Sequence, residues 1–349
     1  MTASTEPVTE TGAEPRPARS DAGRGPARPD RGRQALRFAE RYALVGLLVA
    51  VTVFFSVLPA SSEVFPTSAN LRILVANQSV TVLLALAAMM PLIAGHFDFS
   101  VGAIAATSSV TVAGLMSRHD TSLGLCVVAA LAVGLLVGLA NGVAVTRLGM
   151  NSFVTTLATA TLLGGAIQWY TEGQAISANI SPTLIEFGSM TWLGVPRAVY
   201  VVALAVLGSY YLLAQTPFGR SLYAIGDNAP AARLVGMPVR RYGLTAFVIA
   251  GGLAAVAGVV LAARTGGATA DNGTAMVFPA LAAVFLGATA IHPGRFNVVG
   301  TVVGVALVAV SVSGLTLAGA QDWVNPVFNG AALAIAVGLS SYLGRRSQD

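Results

Sequence analysis

Few residues in this chain are of types that do chemistry, and Asp98 is the one whose surroundings make it costly. It lies in GHFDFSVGA (95–103) with His96 and Ser100 beside it, after an apolar run that ends in MMPLIA. An ionisable group near membrane depth is expensive and rarely incidental. Two roles are open for it: a polar group at a helix break that lines or gates a path, or an N-cap, helped by Ser100, for a helix beginning near Val101. His96 is placed to bond the same carboxylate, but a loop histidine at the membrane edge describes it equally. No serine has a histidine and a carboxylate positioned to activate it, so no catalytic residue is assigned. The chain has no lysine and no GxxxxGK[ST] stretch, which excludes a P-loop. The three histidines, His96, His119 and His292, and the single Cys126 show no metal-ligand spacing, and Cys126 reads as a small buried hydrophobe.

The elements that must hold these residues are apolar. Hydrophobic residues make up 55% and charged ones only 10%, far below the roughly one quarter charged of a soluble domain. Of the 35 charged residues (20 basic, 15 acidic), 14 fall in 1–41, so the body is more apolar still. The net charge of +5 comes without the clustered basic faces and aromatic platforms of a nucleic-acid binder. Residues 1–37 are rich in Pro, Ala, Arg, Gly, Glu and Asp and are expected to be a disordered, uncleaved cytoplasmic arm. The membrane domain is expected over 38–345, with 346–349 as a cytoplasmic tail.

A bilayer-crossing helix needs about 20 apolar residues. Ten stretches qualify: 42–59, 70–94, 98–116, 123–146, 151–170, 198–215, 241–263, 275–291, 296–316 and 324–343. The expectation is therefore an all-α polytopic membrane protein of about ten spans, some discontinuous. With the basic tail inside, alternation puts Arg147, Arg220 to Arg241, Arg295 and Arg345/Arg346 inside as well. Glu63, Asp120, Glu172, Glu186, Asp271 and Asp322 then fall outside, with only Arg72, Arg118, Arg197 and Arg264 on that side near membrane ends, and both termini are cytoplasmic. The break at 95–103 and a similar one at 291–301, IHPGRFNVVGT, hint at a duplicated architecture with discontinuous helices; two ordinary tight loops are the alternative. Small residues at close intervals, as in GLLVGLANG (134–142) and AGGLAAVAG (250–258), let helix backbones approach. The long connection Thr171–Arg197 is expected to form a small cap or a short interfacial helix with Trp192 at headgroup depth.

One polar insert, GRSLYAIGDNAPAARLVGM (219–237), interrupts this pattern. Pro230 suits a first helical position, Asp227 and Asn228 suit its cap, and Gly236 followed by Pro238 is a stop. The result is a helix of barely two turns held by two polar linkers, presenting Ala231, Leu234 and Val235 on one side with Arg233 elsewhere. It either docks into a groove of another protein or lies on its own bundle or on anionic headgroups.

The AAxxxG pattern here, Ala231, Ala232 and Gly236 after TPFGRSLYAIGDN, resembles the cytoplasmic coupling loop of permease subunits of bacterial ABC importers. GHFDFSVGA resembles the GGIDLSVGA signature of the ribose/xylose/galactoside branch. NSFVTTLATATLLGG (151–165) and FPALAAVFLGATAIHPGRFNVVGTVVG resemble two further blocks of it. The likeness runs in order from about residue 40 to 345. The chain departs at Pro230, where classical members have glutamate, at His96 for glycine, at Asn151 for proline, and at HPGRFN for SGGRGS.

The resemblance implies a pore-forming subunit, not an enzyme, that imports a monosaccharide across the bacterial inner membrane. It implies a coupling loop over 216–241, with ATPase contacts from Gly219, Arg220, Gly226, Asn228, Ala231, Ala232, Arg233, Leu234 and Gly236. The partners it implies are an ABC ATPase subunit that uses ATP and Mg, an extracytoplasmic sugar-binding protein, a second permease copy or homologue, and membrane lipid. This chain itself is expected to bind no cofactor, metal or nucleic acid. A neutral sugar is recognised by amides and hydroxyls, which makes Asn77, Asp98, Ser100, Asn141, Asn151 and Gln168 path candidates. The amides, with Gln78 and Asn329, suit bonds between helices equally well. A nucleoside or autoinducer-type furanose fits the same pattern. The rival from another class is a self-sufficient secondary transporter with Asp98 as its coupling carboxylate.

Overall fold

The computed structural model describes residues 2, 31–269, 271 and 275–346. The chain divides into 1–38, whose described part is the start of one helix, and 39–349, which holds the bundle. Thirteen helices and one short hairpin make up the described residues. Ten helices fall on the ten expected stretches: α1 (Arg31–Val57), α2 (Ser68–Ile93), α3 (Val101–His119), α4 (Leu123–Thr146), α5 (Ser152–Thr171), α7 (Arg197–Gln215), α10 (Val239–Thr265), α11 (Val277–Gly287), α12 (Val298–Leu317) and α13 (Val324–Arg346). The remaining three, α6 (Pro182–Ser189), α8 (Pro217–Asp227) and α9 (Ala229–Leu234), lie in connections. The arm expected over 1–37 lies mostly outside the described residues, as does the tail after Arg346; α1 begins at Arg31, inside the expected arm.

The chain is a multi-pass membrane protein: α2, α4, α7, α10 and α12 are each long and apolar enough to cross a membrane. α2 is buried on every side from Ser79 to Ile93, which makes it a central helix enclosed by others. Around it pack α7, α10, α11 and α12, while α10 packs against α2, α3 and α4. α3 contacts α4 and α5, and α11 contacts α12 and α13. Exchanging α2–α5 for α10–α13 therefore reproduces the packing scheme. The C-terminal end of α2 and the N-terminal end of α10 meet, with Gly243 beside His96. The two halves thus run in opposite directions, the arrangement of an inverted repeat.

That repeat corrects the expectation about the two breaks. Residues 94–100 join α2 to α3, so their counterpart is the connection between α10 and α11; residues 288–297 join α11 to α12 and correspond to the short turn 120–122. The packing scheme recurs in the two halves, but the two breaks are not at equivalent positions in it. Nor is 275–291 a full span: α11 has 11 residues, which at 1.5 Å each covers about half of a ~30 Å hydrocarbon core.

Small residues set how closely the halves meet. A methyl group at Gly134 would stand 2.5 Å from the Gly251 carbonyl oxygen, and one at Gly138 would stand 2.5 Å from that of Phe247. The helices α4 and α10 are thus in backbone contact, the packing available where lipid removes the hydrophobic drive. At the opposite end from α8 and α9, Thr171–Arg197 folds as α6 followed by an antiparallel hairpin, β1 (Thr191–Trp192) and β2 (Val195–Pro196). Trp192 sits in the hairpin instead of a helix, packed against Tyr200 and Arg197.

Replacing Gly251 by valine is expected to lower stability by roughly 1–3 kcal/mol, since backbone lies where the side chain would go. Gly164→Ala, with open space around it, is expected to be neutral or slightly stabilising. Thermal unfolding of the two variants in detergent distinguishes them.

Candidate functional site

The segment between α2 and α3 is non-helical backbone inside a helical bundle, so its amides need partners. Gly95 and His96 donate back to the Leu92 and Pro91 carbonyls. Further on, the Phe97 N–H donates to Ser152 Oγ at 3.1 Å and the Phe99 N–H to Thr156 Oγ1 at 2.9 Å, both on α5. The Ser100 N–H and hydroxyl both donate to Asp98 Oδ1, at 2.9 and 2.6 Å. Asn141 of α4 donates its Nδ2 to Ser100 Oγ at 2.9 Å, and Thr159 of α5 donates to Asn141 Oδ1 at 2.7 Å. A connected polar chain thus runs Asp98–Ser100–Asn141–Thr159 and ties the break to α4 and α5.

Three of the four members of this polar chain are buried and Thr159 is half-buried. Asp98, Ser100 and Asn141 are 1%, 0% and 2% exposed. The second carboxylate oxygen of Asp98 has no hydrogen-bond partner. The cap alternative takes a modified form: Ser100 occupies the N-cap position of α3 without a side-chain cap bond, and Asp98 receives the Ser100 amide instead. His96 bonds no carboxylate here and lies beside the Phe247 ring.

Aromatic rings surround the break. Phe99 meets Phe153 and Phe278 edge-on, while Phe97 stacks on Phe285, which in turn meets Phe296 of the second break. Phe97, Phe153 and Phe278 are exposed, so the face over the buried polar chain is an aromatic one. The second break, 288–297, is organised by Asn297, whose Nδ2 donates to the carbonyls of Gly287, Ala290 and Arg295 while its Oδ1 caps Gly300.

The insert is a two-helix arm. Its first part was expected to be a polar linker, but Thr216 caps Gly219 and Pro217 opens the eleven-residue α8. The short helix is α9, with Asn228 Oδ1 accepting from the Ala231 N–H at 2.9 Å and Gly236 at φ +82° ending it. Ala232 packs inward with Ile225 and Val239, whereas Ala231 and Arg233 are exposed and Leu234 and Val235 are 90% and 74% exposed. α8 presents Gly219, Leu222, Ile225 and Gly226 to the bundle. A methyl at Gly226 would overlap the carbonyl oxygen of Ile93, the last residue of α2 before the break. Gly219 lies equally close to the Leu213 carbonyl. On α8's other flank Asp227 pairs with Arg295, and Tyr223 donates its hydroxyl to the Phe296 carbonyl at 2.7 Å. Burial pushes the Tyr223 phenol up to about 12, against the pull of the Arg295 cation, so it remains a donor.

Beside α9 a cleft of about 750 Å³ is lined by Arg147, Arg233, Arg240, Arg241 and His96. Of the arginines expected on one side of the membrane, Arg147, Arg233, Arg240 and Arg241 meet in this cleft. Arg220 is exposed on α8.

Of the six path candidates the fold unites Asp98, Ser100 and Asn141. Asn77 accepts from Arg264 near the opposite end, Asn151 caps α5 through Val154, and Gln168 is exposed on α5. Asn329 has a buried amide oxygen without a partner. Sequence reasoning missed Ser152, Thr156, Thr159 and Asn297. The first three recur at helical spacing within NSFVTTLAT, a polar stripe on α5 that serves the break through Ser152 and Thr156 and α4 through Thr159.

Ser100→Ala and Asn141→Leu are each expected to cost about 1–3 kcal/mol by stranding a buried partner. Their double variant should cost less than the sum, because one chain of bonds is broken twice. Chemical or thermal unfolding in detergent measures both.

Residues 70–337 match the family described as branched-chain amino acid transport system / permease component. The chain is 30% identical over 296 residues to the ribose import permease protein RbsC of Escherichia coli (strain K12), covering 83% of this chain and 91% of that one. It is 34% identical over 294 residues to ribose import permease protein RbsC of Bacillus subtilis (strain 168), covering 84% and 90%. To autoinducer 2 import system permease protein LsrC of Photorhabdus laumondii it is 28% identical over 298 residues, covering 85% and 89%. No solved structure matches. With most of its length matched and these relatives covered almost end to end, the chain belongs to the branched-chain amino acid transport system / permease component family.

Proposed function

We propose that this chain is the membrane subunit of an ATP-driven importer that carries a monosaccharide, or a related furanose, into the cytoplasm. The observation that carries the reading is the seat of the arm: α9 offers Leu234 and Val235 outward, while α8 presses Gly226 on the last residue of α2. A push on α9 is thereby delivered where α2 gives way to the break. Two exposed apolar side chains beside Arg233 and the arginine-lined cleft suit a socket on an ATPase with an acidic rim. Pro230 stands where a glutamate would make a charged contact, and these arginines supply one of opposite sign.

The roles follow. Gly219 and Gly226 seat the arm; Asn228 and Gly236 begin and end α9; Ala232 anchors it; Ala231, Arg220, Arg233 and Leu234 face the partner. The arm's end of the bundle is cytoplasmic, with both termini, and α6 with its hairpin receives an external binding protein. ATP and Mg act in the partner, and the chain itself is not an enzyme. A second copy or a homologue completes the pore. The solute passes along the face of Phe97, Phe153 and Phe278, whose rings suit the apolar face of a sugar. Asp98, Ser100 and Asn141 lie behind that face and hold its shape. The likeness to ribose and autoinducer 2 permeases supports a five-carbon-sized, hydroxyl-rich solute.

The test is purification of the tagged chain from its native membranes in gentle detergent, beside an Arg233→Glu, Gly236→Trp version. An ATPase that accompanies the native chain and is lost from the variant is the expected result. If no ATPase ever appears and the chain alone moves solute in liposomes, the importer reading fails and the self-sufficient transporter replaces it. Gly226→Val should retain the ATPase yet lose most transport, since it disturbs the seat of the arm and not its exposed tip. Uptake and ATPase activity measured on the same proteoliposomes separate the two steps.

A further inference from the structure

A cavity of about 450 Å³ opens where Arg41 of α1, the end of α7, the side of α8 and residues 291–299 converge. Arg41, His292 and Arg295 line it together with Tyr210 and Tyr223. No carboxylate is among its lining residues. Arg41 forms no ion pair among the described residues; its guanidinium rests over the Tyr42 ring at 5.6 Å. Arg295 is held from outside the cavity by Asp227 and lies over the Tyr223 ring. Among the described residues the cavity's lining is therefore basic, with Arg295 paired to Asp227 and Arg41 without a carboxylate partner.

Tyr210 and Val299 of the same lining are half exposed, and from Tyr210 an exposed row of Leu207, Leu204 and Tyr200 continues along α7. Residues four and three apart share one helix face, so this row is a continuous track along a membrane-crossing helix. A cavity lined by two exposed arginines, with an apolar track leading away from it, matches a ligand with an anionic head and hydrocarbon tails. A free phosphate would leave the track uncovered, and an acidic protein segment would not follow it into the bilayer.

We propose that this cavity binds the phosphate headgroup of an anionic phospholipid, with Arg41 and Arg295 as the anion contacts and the acyl chains along α7. Because Tyr223 and Asp227 of α8 hold the loop that carries Arg295, an occupied site braces the arm on the bundle. The proposal is independent of which solute is carried and of whether an ATPase docks.

The experiment uses the full chain in detergent, with phosphatidylglycerol, phosphatidylcholine and soluble glycerol phosphate as probes, and native mass spectrometry to count what is retained. Phosphatidylglycerol is expected to bind at least tenfold more tightly than phosphatidylcholine. Arg41→Gln with Arg295→Gln should weaken it about thirtyfold, as two cations near a headgroup predict. Arg240→Gln with Arg241→Gln, in the other cleft, should leave it unchanged. Val299→Glu, which keeps both arginines but sets a negative charge in the cavity's lining, should also lower binding and stands in if the double variant fails to fold. Equal losses in both arginine pairs would reduce the effect to general surface charge and overturn the site. Wild-type retention by Val299→Glu, or glycerol phosphate competing at the same concentration as the lipid, would overturn it as well.

Discussion

Everything in this fold answers to one constraint: inside a bilayer every backbone amide and carbonyl must find a partner within the protein. Helices meet it automatically, and most of the chain is helical for that reason. The two stretches that abandon the helix, 94–100 and 288–297, meet it with side chains. Ser152 and Thr156 receive the amides of Phe97 and Phe99; Asp98 receives that of Ser100; Asn297 gathers three carbonyls. These few residues are what allow the chain to leave the helix within the bundle. They also account for the placement of Asp98, whose first oxygen is fully engaged in holding the break while its second has no hydrogen-bond partner.

Close backbone contact turns these local solutions into one mechanical unit. Gly134 and Gly138 bring α4 onto α10, and Asn141, on the same helix, bonds Ser100 of the break. Gly226 brings α8 onto the end of α2, one residue before the break begins. The arm, the central helix and the polar chain are therefore in direct succession, with no flexible side chain between arm and backbone. Packed interiors are hard to deform continuously, so displacement of the arm is expected to move α2 as a whole.

The distribution of charge follows the same ends. Arginines line two cavities beside α8 and α9, one of which also takes in Tyr210 of the exposed row on α7. At the opposite end Arg264 spans from α10 to Asn77 and the Gly188 carbonyl, a structural use of the same residue type.

Composition and apolar run length by themselves determined the class of this protein, its ten helices and the separation of the arginines, because bilayer thickness imposes a length and a polarity that sequence must satisfy locally. The cap chemistry of Asn228, Pro230 and Gly236 was equally local, and α9 formed where those residues placed it. What only the tertiary structure decided was which distant residues meet. That 275–291 holds a half-length helix, that the two breaks are not equivalent in the inverted repeat, and that GRSLYAIGD is a helix seated on Ile93 all depend on contacts between segments far apart in the chain. Among the polar residues, Asp98, Ser100 and Asn141 converged while Asn77, Asn151 and Gln168 dispersed. An amide in an apolar helix is equally able to serve a neighbour, a cap or a path, and only the partner that the packing brings within 3 Å settles which.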